Sequence, residues 1–161
     1  MNESDAGQEE RELLKRSQIF AGLDDEQLAR LHALAEACSF AEDEVIVEED
    51  KQGADCYFVL MGRVDISVRS PFGSASQKIA QIKRGEMFGE LSLVDGFLRS
   101  ATAKASDPVT ALRFSNAKLE ELMSDDPRIG FRIMRNLANV LSSRIRNTNM
   151  KLRNALSDIL Y

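Results

Sequence analysis

RGEMFGELSLVDGFLRSAT, residues 84–102, is the stretch of this 161-residue sequence that says most about the fold. Its glycines relax the backbone at three points, and the apolar LSLV run between them predicts one turn of helix starting near Glu90. Free backbone N–H groups at the start of such a turn attract anions. Arg99 adds a guanidinium that can pair with a phosphate through two hydrogen bonds, and the Glu90 carboxylate can accept from a sugar hydroxyl. The stretch therefore predicts a cradle for a sugar phosphate. A structural salt bridge between Glu90 and Arg99 is the alternative, and the residues alone leave it open.

Short strand patterns lie on both sides of this cradle. Runs of β-branched or alternating apolar residues are separated by Gly and Asp, a pattern typical of antiparallel sheets with tight turns. We therefore expect a mainly β protein of the α+β class, built as an antiparallel β-roll or jelly-roll barrel. The predicted strands are Val45–Val47, Cys56–Met61, Val64–Val68, Lys78–Ile82, Ala101–Ala105 and Val109–Phe114.

Helical patterns flank the predicted strands. Asp24 and Gln27 form a capping-box pattern for a helix that we expect to continue to about Ala37. Asp125-Asp126-Pro127 is a strong start signal for a long final helix that runs to about Asp158. Shorter helices are predicted over Glu12–Ser17 and Asn116–Met123. The expected organisation is a flexible polar leader over residues 1–10, the β-roll with its N-terminal helices over residues 11–126, and the long helix over residues 127–161.

Composition narrows the class of protein. Hydrophobic residues make up 43% and charged residues 29%, which is typical of a globular chain. No apolar run is long enough to span a membrane and the N-terminus is acidic, so we expect a cytoplasmic protein without a membrane segment. Residues 1–55 carry 16 acids against 5 bases and the remainder carries 10 against 16. That mild excess fits a local anion site, and on a chain of net charge −5 it argues against a nucleic-acid surface.

Catalytic and metal-binding residues are scarce. The chain has two cysteines, Cys38 and Cys56, and one histidine, His32, whose apolar surroundings predict a position on a helix surface. We expect no metal, no cofactor and no enzymatic activity. A phosphodiesterase would need a metal cluster or an activated nucleophile, and a haem or redox sensor would need clustered ligands.

The cradle closely resembles a known element. Phe88-Gly89-Glu90-Leu91-Ser92-Leu93, followed by Arg99-Ser100-Ala101-Thr102, is similar to the phosphate-binding cassette of cyclic nucleotide-binding domains. These domains occur in the catabolite activator protein, in regulatory subunits of cyclic-nucleotide-dependent kinases and in gated channels. Ile19–Leu23 resembles the family's entry into its first helix and Tyr57–Val64 its strand-glycine-strand core, so the resemblance covers most of the chain.

The resemblance implies a role for each cassette residue, within a cassette spanning residues 85–102. Arg99 pairs with the cyclic phosphate, and Glu90 accepts from the ribose 2′-hydroxyl. The regulatory ligand is cAMP or cGMP, since a serine after the arginine occurs in relatives of both kinds. Backbone and hydroxyl groups of Gly89, Leu91, Ser92, Ser100 and Ala101 complete the phosphate and ribose contacts.

The long helix is expected to act as lid and as dimer seam. By the resemblance it lies over the purine, with Arg144 stacked on the base and with Asn147 and Thr148 within reach of the base edge, in this subunit or its partner. Its apolar spacing approximates a heptad, which favours a parallel homodimer over packing on the roll alone. The predicted seam consists of Leu137, Leu141, Ile145, Thr148, Leu152, Leu156 and Ile159.

The sequence is consistent with two functions. The first is a stand-alone sensor that binds a cyclic nucleotide, switches conformation and acts on an unknown effector. No segment resembling the helix-turn-helix of the transcription-factor relatives follows the long helix, so no nucleic-acid binding is expected. The alternative is a ligand-independent structural or oligomerisation module of the same fold.

Overall fold

The computed structural model describes residues 3–70, 73, 75–96 and 98–160. The helices lie at the two ends of the chain, apart from one short helix inside the cradle. The helices are α1 (Glu3–Arg16), α2 (Asp25–His32), α3 (Leu91–Asp95), α4 (Asn116–Asp125) and α5 (Pro127–Leu160). The strands are β1 (Glu36–Phe40), β2 (Val45–Val47), β3 (Asp55–Met61), β4 (Val64–Arg69), β5 (Ser76–Ile82), β6 (Met87–Phe88), β7 (Thr102–Ala105) and β8 (Val109–Ser115).

The strands form two four-stranded antiparallel sheets, ordered β1-β8-β3-β6 and β2-β7-β4-β5. Fully buried side chains from both sheets, among them Val59, Val64 and Ala111, form one core cluster. A second cluster joins the helices to the first sheet through residues such as Phe20 and Phe114. The fold is therefore the antiparallel β-roll with flanking helices that the sequence predicts.

Each predicted strand is present, but β1 and β6 were not predicted. β1 has the sequence EACSF, which lacks β-branched residues, and its place is set by pairing with β8 from Glu36↔Arg113 onwards. β6 has two residues and pairs with β3 inside the cradle. The pairing of β1 also corrects α2, which begins with the predicted capping box at Asp24 but ends at His32 rather than near Ala37.

The N-terminal helix is longer than expected. α1 begins at Glu3 instead of Glu12, so residues 3–10, predicted to be a flexible polar leader, are helical. Contacts with the rest of the molecule account for the difference. Glu9 accepts from Arg84, and Glu10 lies 2.6 Å from His32 Nε2 on α2. A short isolated helix is only marginally stable in water, and these contacts stabilise the first turns of α1.

The final helix has two halves with different surroundings. α5 holds 34 residues, about 51 Å at 1.5 Å per residue. Ile129, Ile133 and Leu137 are almost wholly buried against the helices and the first sheet, whereas Ile145 and Leu152 are exposed. Leu137 was predicted to belong to the seam and instead lies in the core. The side chain of Ile159, also predicted for the seam, lies outside the described residues. No helix within the described ranges is long and apolar enough to cross a membrane.

Candidate functional site

The cradle is built around one short helix and a glycine with a positive φ. Gly89 has a φ of +78°, which an L side chain rarely adopts, and it turns the chain from β6 towards α3. α3 follows Glu90 and ends at Asp95, and Gly96 caps it in the left-handed conformation. The single turn of helix predicted near Glu90 is therefore present.

Arg99 is buried in this cradle with only 8% of its surface exposed. Its Nη1 donates to the Gly89 carbonyl at 2.9 Å and to the Ser92 hydroxyl at 3.2 Å. Its Nη2 donates to the Asp55 carbonyl at 2.6 Å. These bonds use three of the five guanidinium hydrogens. The Nε–H and one Nη2 hydrogen have no hydrogen-bond partner among the described residues, and Gly53 packs against this side of the guanidinium. An anion that accepts from both hydrogens needs the loop at Gly53 to leave it room.

Two glycines pack directly against this guanidinium. A Cβ at Gly53, in the loop between β2 and β3, would overlap the Nε and Nη2 atoms of Arg99. A Cβ at Gly89 would lie 2.8 Å from Nη1. The arginine can occupy its place only because both positions lack a side chain. Gly89 belongs to the predicted cassette, whereas Gly53, which lies 46 residues before the arginine, was not predicted.

Glu90 is almost completely buried, at 2% exposed, and its Oε1 accepts from Nη1 of Arg144. Arg144 comes from α5 and is about half exposed. Within the described part of the chain Glu90 and Arg99 do not pair with each other, so the alternative prediction of a structural salt bridge between them is wrong. The structure thus places the predicted lid residue at the cassette, on the carboxylate that the resemblance assigns to the ribose.

Ser92 and Asn116 form a polar contact behind the arginine. Ser92 Oγ donates to the Gly89 carbonyl at 2.9 Å and accepts from Asn116 Nδ2 at 2.9 Å. Asn116 is the first residue of α4 and is buried at 7% exposed. A lone asparagine after a strand carries no sequence signal for such a role, so it was not predicted.

The remaining predicted residues are more open. Ser100 is exposed, and Leu91 and Ala101 are partly buried beside the cradle. Asn147 and Thr148 lie on the exposed half of α5, and neither bonds to the cassette within the described ranges. The structure therefore brings the phosphate and ribose residues together with Arg144, but not with the other two lid residues.

A cavity of about 180 Å³ opens beside Arg99. Whole-ligand pockets usually measure about 300–1,000 Å³, so this volume suits a small group rather than an entire ligand. Its walls come from β2, the following loop and β3. They include Val47, Glu48, Lys51, Gly53, Asp55 and Tyr57.

The cysteine beneath the cradle, Cys56, is unreactive near neutral pH. Cys56 is fully buried, and burial raises the pKa of its thiol to about 12, with the nearby Glu90 carboxylate adding to the rise. A thiol with that pKa is not a nucleophile near neutral pH. Among the described residues no group of three or more His, Cys, Asp or Glu side chains could hold a metal ion.

The described chain thus combines an antiparallel β-roll with a buried arginine and a buried carboxylate around a glycine-rich turn. Residues 37–126 match the family model described as the cyclic nucleotide-binding domain. The chain belongs to the cyclic nucleotide-binding domain family.

Individual relatives agree with this assignment. The chain is 29% identical over 150 residues to a CRP-like cAMP-activated global transcriptional regulator of Mycobacterium tuberculosis, a match that covers 93% of this chain and 63% of that protein. The N-terminal domain of a transcriptional regulator from Streptomyces coelicolor A3(2) is similar in structure, with a TM-score of 0.72 and 31% identity over 87% of this chain and 94% of that one. A cyclic nucleotide-binding domain from Methylobacillus flagellatus shares the fold at a TM-score of 0.80 and 24% identity, covering 91% of this chain and 82% of that chain.

Proposed function

We propose that this chain is a sensor domain that binds cAMP or cGMP, and that ligand binding changes the position of its long helix α5. The observation that carries the proposal is the buried Arg99, which has two guanidinium hydrogens left for an anion after three have been donated to the chain. Membership of the family supplies the class of ligand. The Mycobacterium tuberculosis relative is described as cAMP-activated, which favours cAMP without excluding cGMP.

The proposed contacts follow from the side chains available in the cradle. Arg99 holds the cyclic phosphate by its Nε and Nη2 hydrogens. Glu90 accepts from the ribose 2′-hydroxyl, so the sugar and Arg144 meet at the same carboxylate. Gly89, Leu91, Ser92, Ser100 and Ala101 contribute backbone and hydroxyl groups around the phosphate and ribose.

The switch that we propose is an exchange at Glu90. Arg144 ties α5 to the cassette through this carboxylate, and a ribose hydroxyl that donates to it changes what holds the helix. The purine then lies under α5, with Arg144 free to stack on its face and Asn147 and Thr148 near its edge. A homodimer through the exposed apolar half of α5 would carry the change in helix position to an effector.

The decisive experiment titrates cAMP and cGMP against the wild type and Arg99→Ala by calorimetry. Loss of two charge-assisted hydrogen bonds is expected to weaken binding by about 100-fold or more. Arg113→Ala is the matched control, because Arg113 is exposed and pairs with Glu36 on the outer surface. Equal affinity in wild type and Arg99→Ala would overturn the assignment of the phosphate site.

The second candidate function is a structural module of the same fold that needs no ligand. The pairing of Glu90 with Arg144 favours it, since that pair satisfies a ribose-binding carboxylate from within the chain. This candidate requires that neither nucleotide binds the wild type and that assembly through α5 persists in Arg99→Ala.

A further inference from the structure

Asn116 makes two hydrogen bonds at the start of α4. Its side-chain Nδ2 donates to Ser92 Oγ at 2.9 Å, and its backbone N–H donates to the Ala54 carbonyl at 2.8 Å. The residue is buried at 7% exposed. One asparagine therefore connects α4 to the cassette helix and to the loop that precedes β3.

Both hydrogen bonds of Asn116 lead to groups that orient Arg99. Ser92 Oγ accepts from Arg99 Nη1, and the residue after Ala54, Asp55, accepts from Arg99 Nη2 through its carbonyl. Two of the three acceptors that orient the guanidinium are thus held, directly or through the adjoining peptide, by Asn116. The hydroxyl of Ser92 has its full capacity in use, since it donates once and accepts twice.

The other atom of the same amide is unpaired. Asn116 Oδ1 is buried and has no hydrogen-bond partner among the described residues. A buried polar atom without a partner is costly, and a leucine of similar size would avoid the cost. Packing alone therefore does not account for an asparagine at this position, whereas its donated bond to Ser92 does.

We propose that Asn116 is a positioning residue for phosphate binding. Its side chain fixes the Ser92 hydroxyl, so that Arg99 turns Nη1 inwards and leaves its Nε–H for the ligand. The backbone bond to Ala54 holds the 54–55 peptide whichever side chain stands at position 116. The proposal rests on the proposed function of the cradle. It also makes α4, which packs against α5, the element through which the phosphate site is joined to the helices.

A double-mutant cycle tests this role with four proteins: wild type, Asn116→Leu, Arg99→Lys and the double variant. The measurement is the dissociation constant for cAMP by calorimetry, together with the midpoint of thermal unfolding of each protein. Asn116→Leu is expected to weaken cAMP binding about tenfold, the effect of one lost supporting hydrogen bond. It should leave the unfolding midpoint unchanged or raised, because it removes an unpaired oxygen.

In the Arg99→Lys background the same change is expected to cost less than about twofold, because a lysine has no fork to orient. A merely structural residue would lower the unfolding midpoint and cost the same factor in both backgrounds, which would overturn the proposal. Asn116→Asp keeps the shape and loses the donor, so it replaces the leucine variant if that does not fold. Asn136→Asp, an amide on α5 that donates to Ile19 and Ala21, is the control. Failure of the wild type to bind cAMP or cGMP overturns the proposed function as well, whereas wild-type binding with no coupling overturns the role of Asn116 alone.

Discussion

At Gly53 the absence of a side chain decides where Arg99 can lie. A Cβ there would overlap two guanidinium nitrogens, so Gly53→Ala must displace either the loop or the arginine. Displacement removes the paired Nε and Nη2 donors from their position. We expect Gly53→Ala to weaken cyclic nucleotide binding by about tenfold or more, measured by calorimetry, because a bidentate pair to an anion is lost or distorted.

Gly73→Ala is the control for this substitution, because a Cβ at Gly73 meets no atom within 4 Å. Its affinity should match the wild type. Wild-type affinity in Gly53→Ala would instead mean that the loop moves away from the arginine at no cost to binding.

The raised pKa of Cys56 predicts a loss of stability in alkali. Burial raises the pKa to about 12 in the folded protein from an ordinary 9.0. The Cys56 thiol therefore ionises at a lower pH in the unfolded chain than in the folded protein. The free energy of unfolding is unaffected below pH 9 and falls as the pH rises from 9 towards 12. At pH 10 the cost is about 1.4 kcal/mol.

Urea denaturation at pH 8 and pH 10 under reducing conditions measures this cost. The wild type should lose about 1.4 kcal/mol more between the two pH values than Cys56→Ala does. Cys38→Ala is the comparison, since that thiol is only partly buried. The same loss in wild type and Cys56→Ala would contradict the prediction.

The site residues could be predicted from the sequence, but their hydrogen-bond partners could not. Arg99 and Glu90 follow from chemistry and resemblance, because their types and order are specific. Their partners do not follow, because two of Arg99's acceptors are backbone carbonyls, and Arg144 lies 54 residues from Glu90. Carbonyl acceptors leave no signature in side-chain types, and long-range pairing is set by the fold.

At the scale of elements, α5 shows why a helical period predicts an apolar face but not its neighbour. Leu137 and Leu152 belong to the same predicted stripe, yet Leu137 is buried at 1% exposed and Leu152 is 57% exposed. The roll ends partway along the helix, so the first half packs on the molecule and the second half extends beyond it. Residues such as Phe131, 67% exposed, lie on a different face that the predicted stripe omitted. The period therefore predicts an apolar face, and the start signal at Asp125-Asp126-Pro127 predicts where the helix begins, while the reach of the β-roll decides which leucines are core.

Beyond Leu141, the bond from Arg144 to Glu90 is what holds α5 to the roll within the described residues. Arg144→Gln removes this ion pair while keeping the helix propensity similar. We expect faster amide hydrogen exchange over residues 142–150 in the protein without nucleotide, because isolated helical segments are marginal in water.

Arg146→Gln is the control for the exchange measurement. Arg146 bonds only to Ser142 and Ser143 on its own helix among the described residues. Its exchange should resemble that of the wild type. Equal exchange rates in Arg144→Gln and wild type would show that the ion pair does not restrain the helix.

At the scale of the whole molecule, two hydrophobic cores together position the site. The cluster between the sheets holds the roll together, while the cluster shared by the helices and the first sheet fixes α4 and α5 against it. The cradle lies where these units meet, since Asn116 and Arg144 reach it from the helices and Gly53 reaches it from the roll. Direct contacts therefore join the cradle to the helices, as the proposed coupling of ligand binding to helix position requires.

Binding and assembly are expected to use different parts of the chain. The side chains described around Arg99 and Glu90 lie in the cradle and at Arg144, whereas the exposed apolar residues Ile145, Leu152 and Leu156 lie farther along α5. Leu152→Asp places a charge in that apolar stripe and is expected to convert the proposed dimer to a monomer, as measured by light scattering. The monomer should still bind cAMP within about threefold of the wild-type affinity, because the charge-assisted phosphate and ribose bonds that supply most of the affinity are intact. A loss much larger than threefold would place part of the binding site on the partner subunit, with the partner's Asn147 and Thr148 as the groups that reach the base.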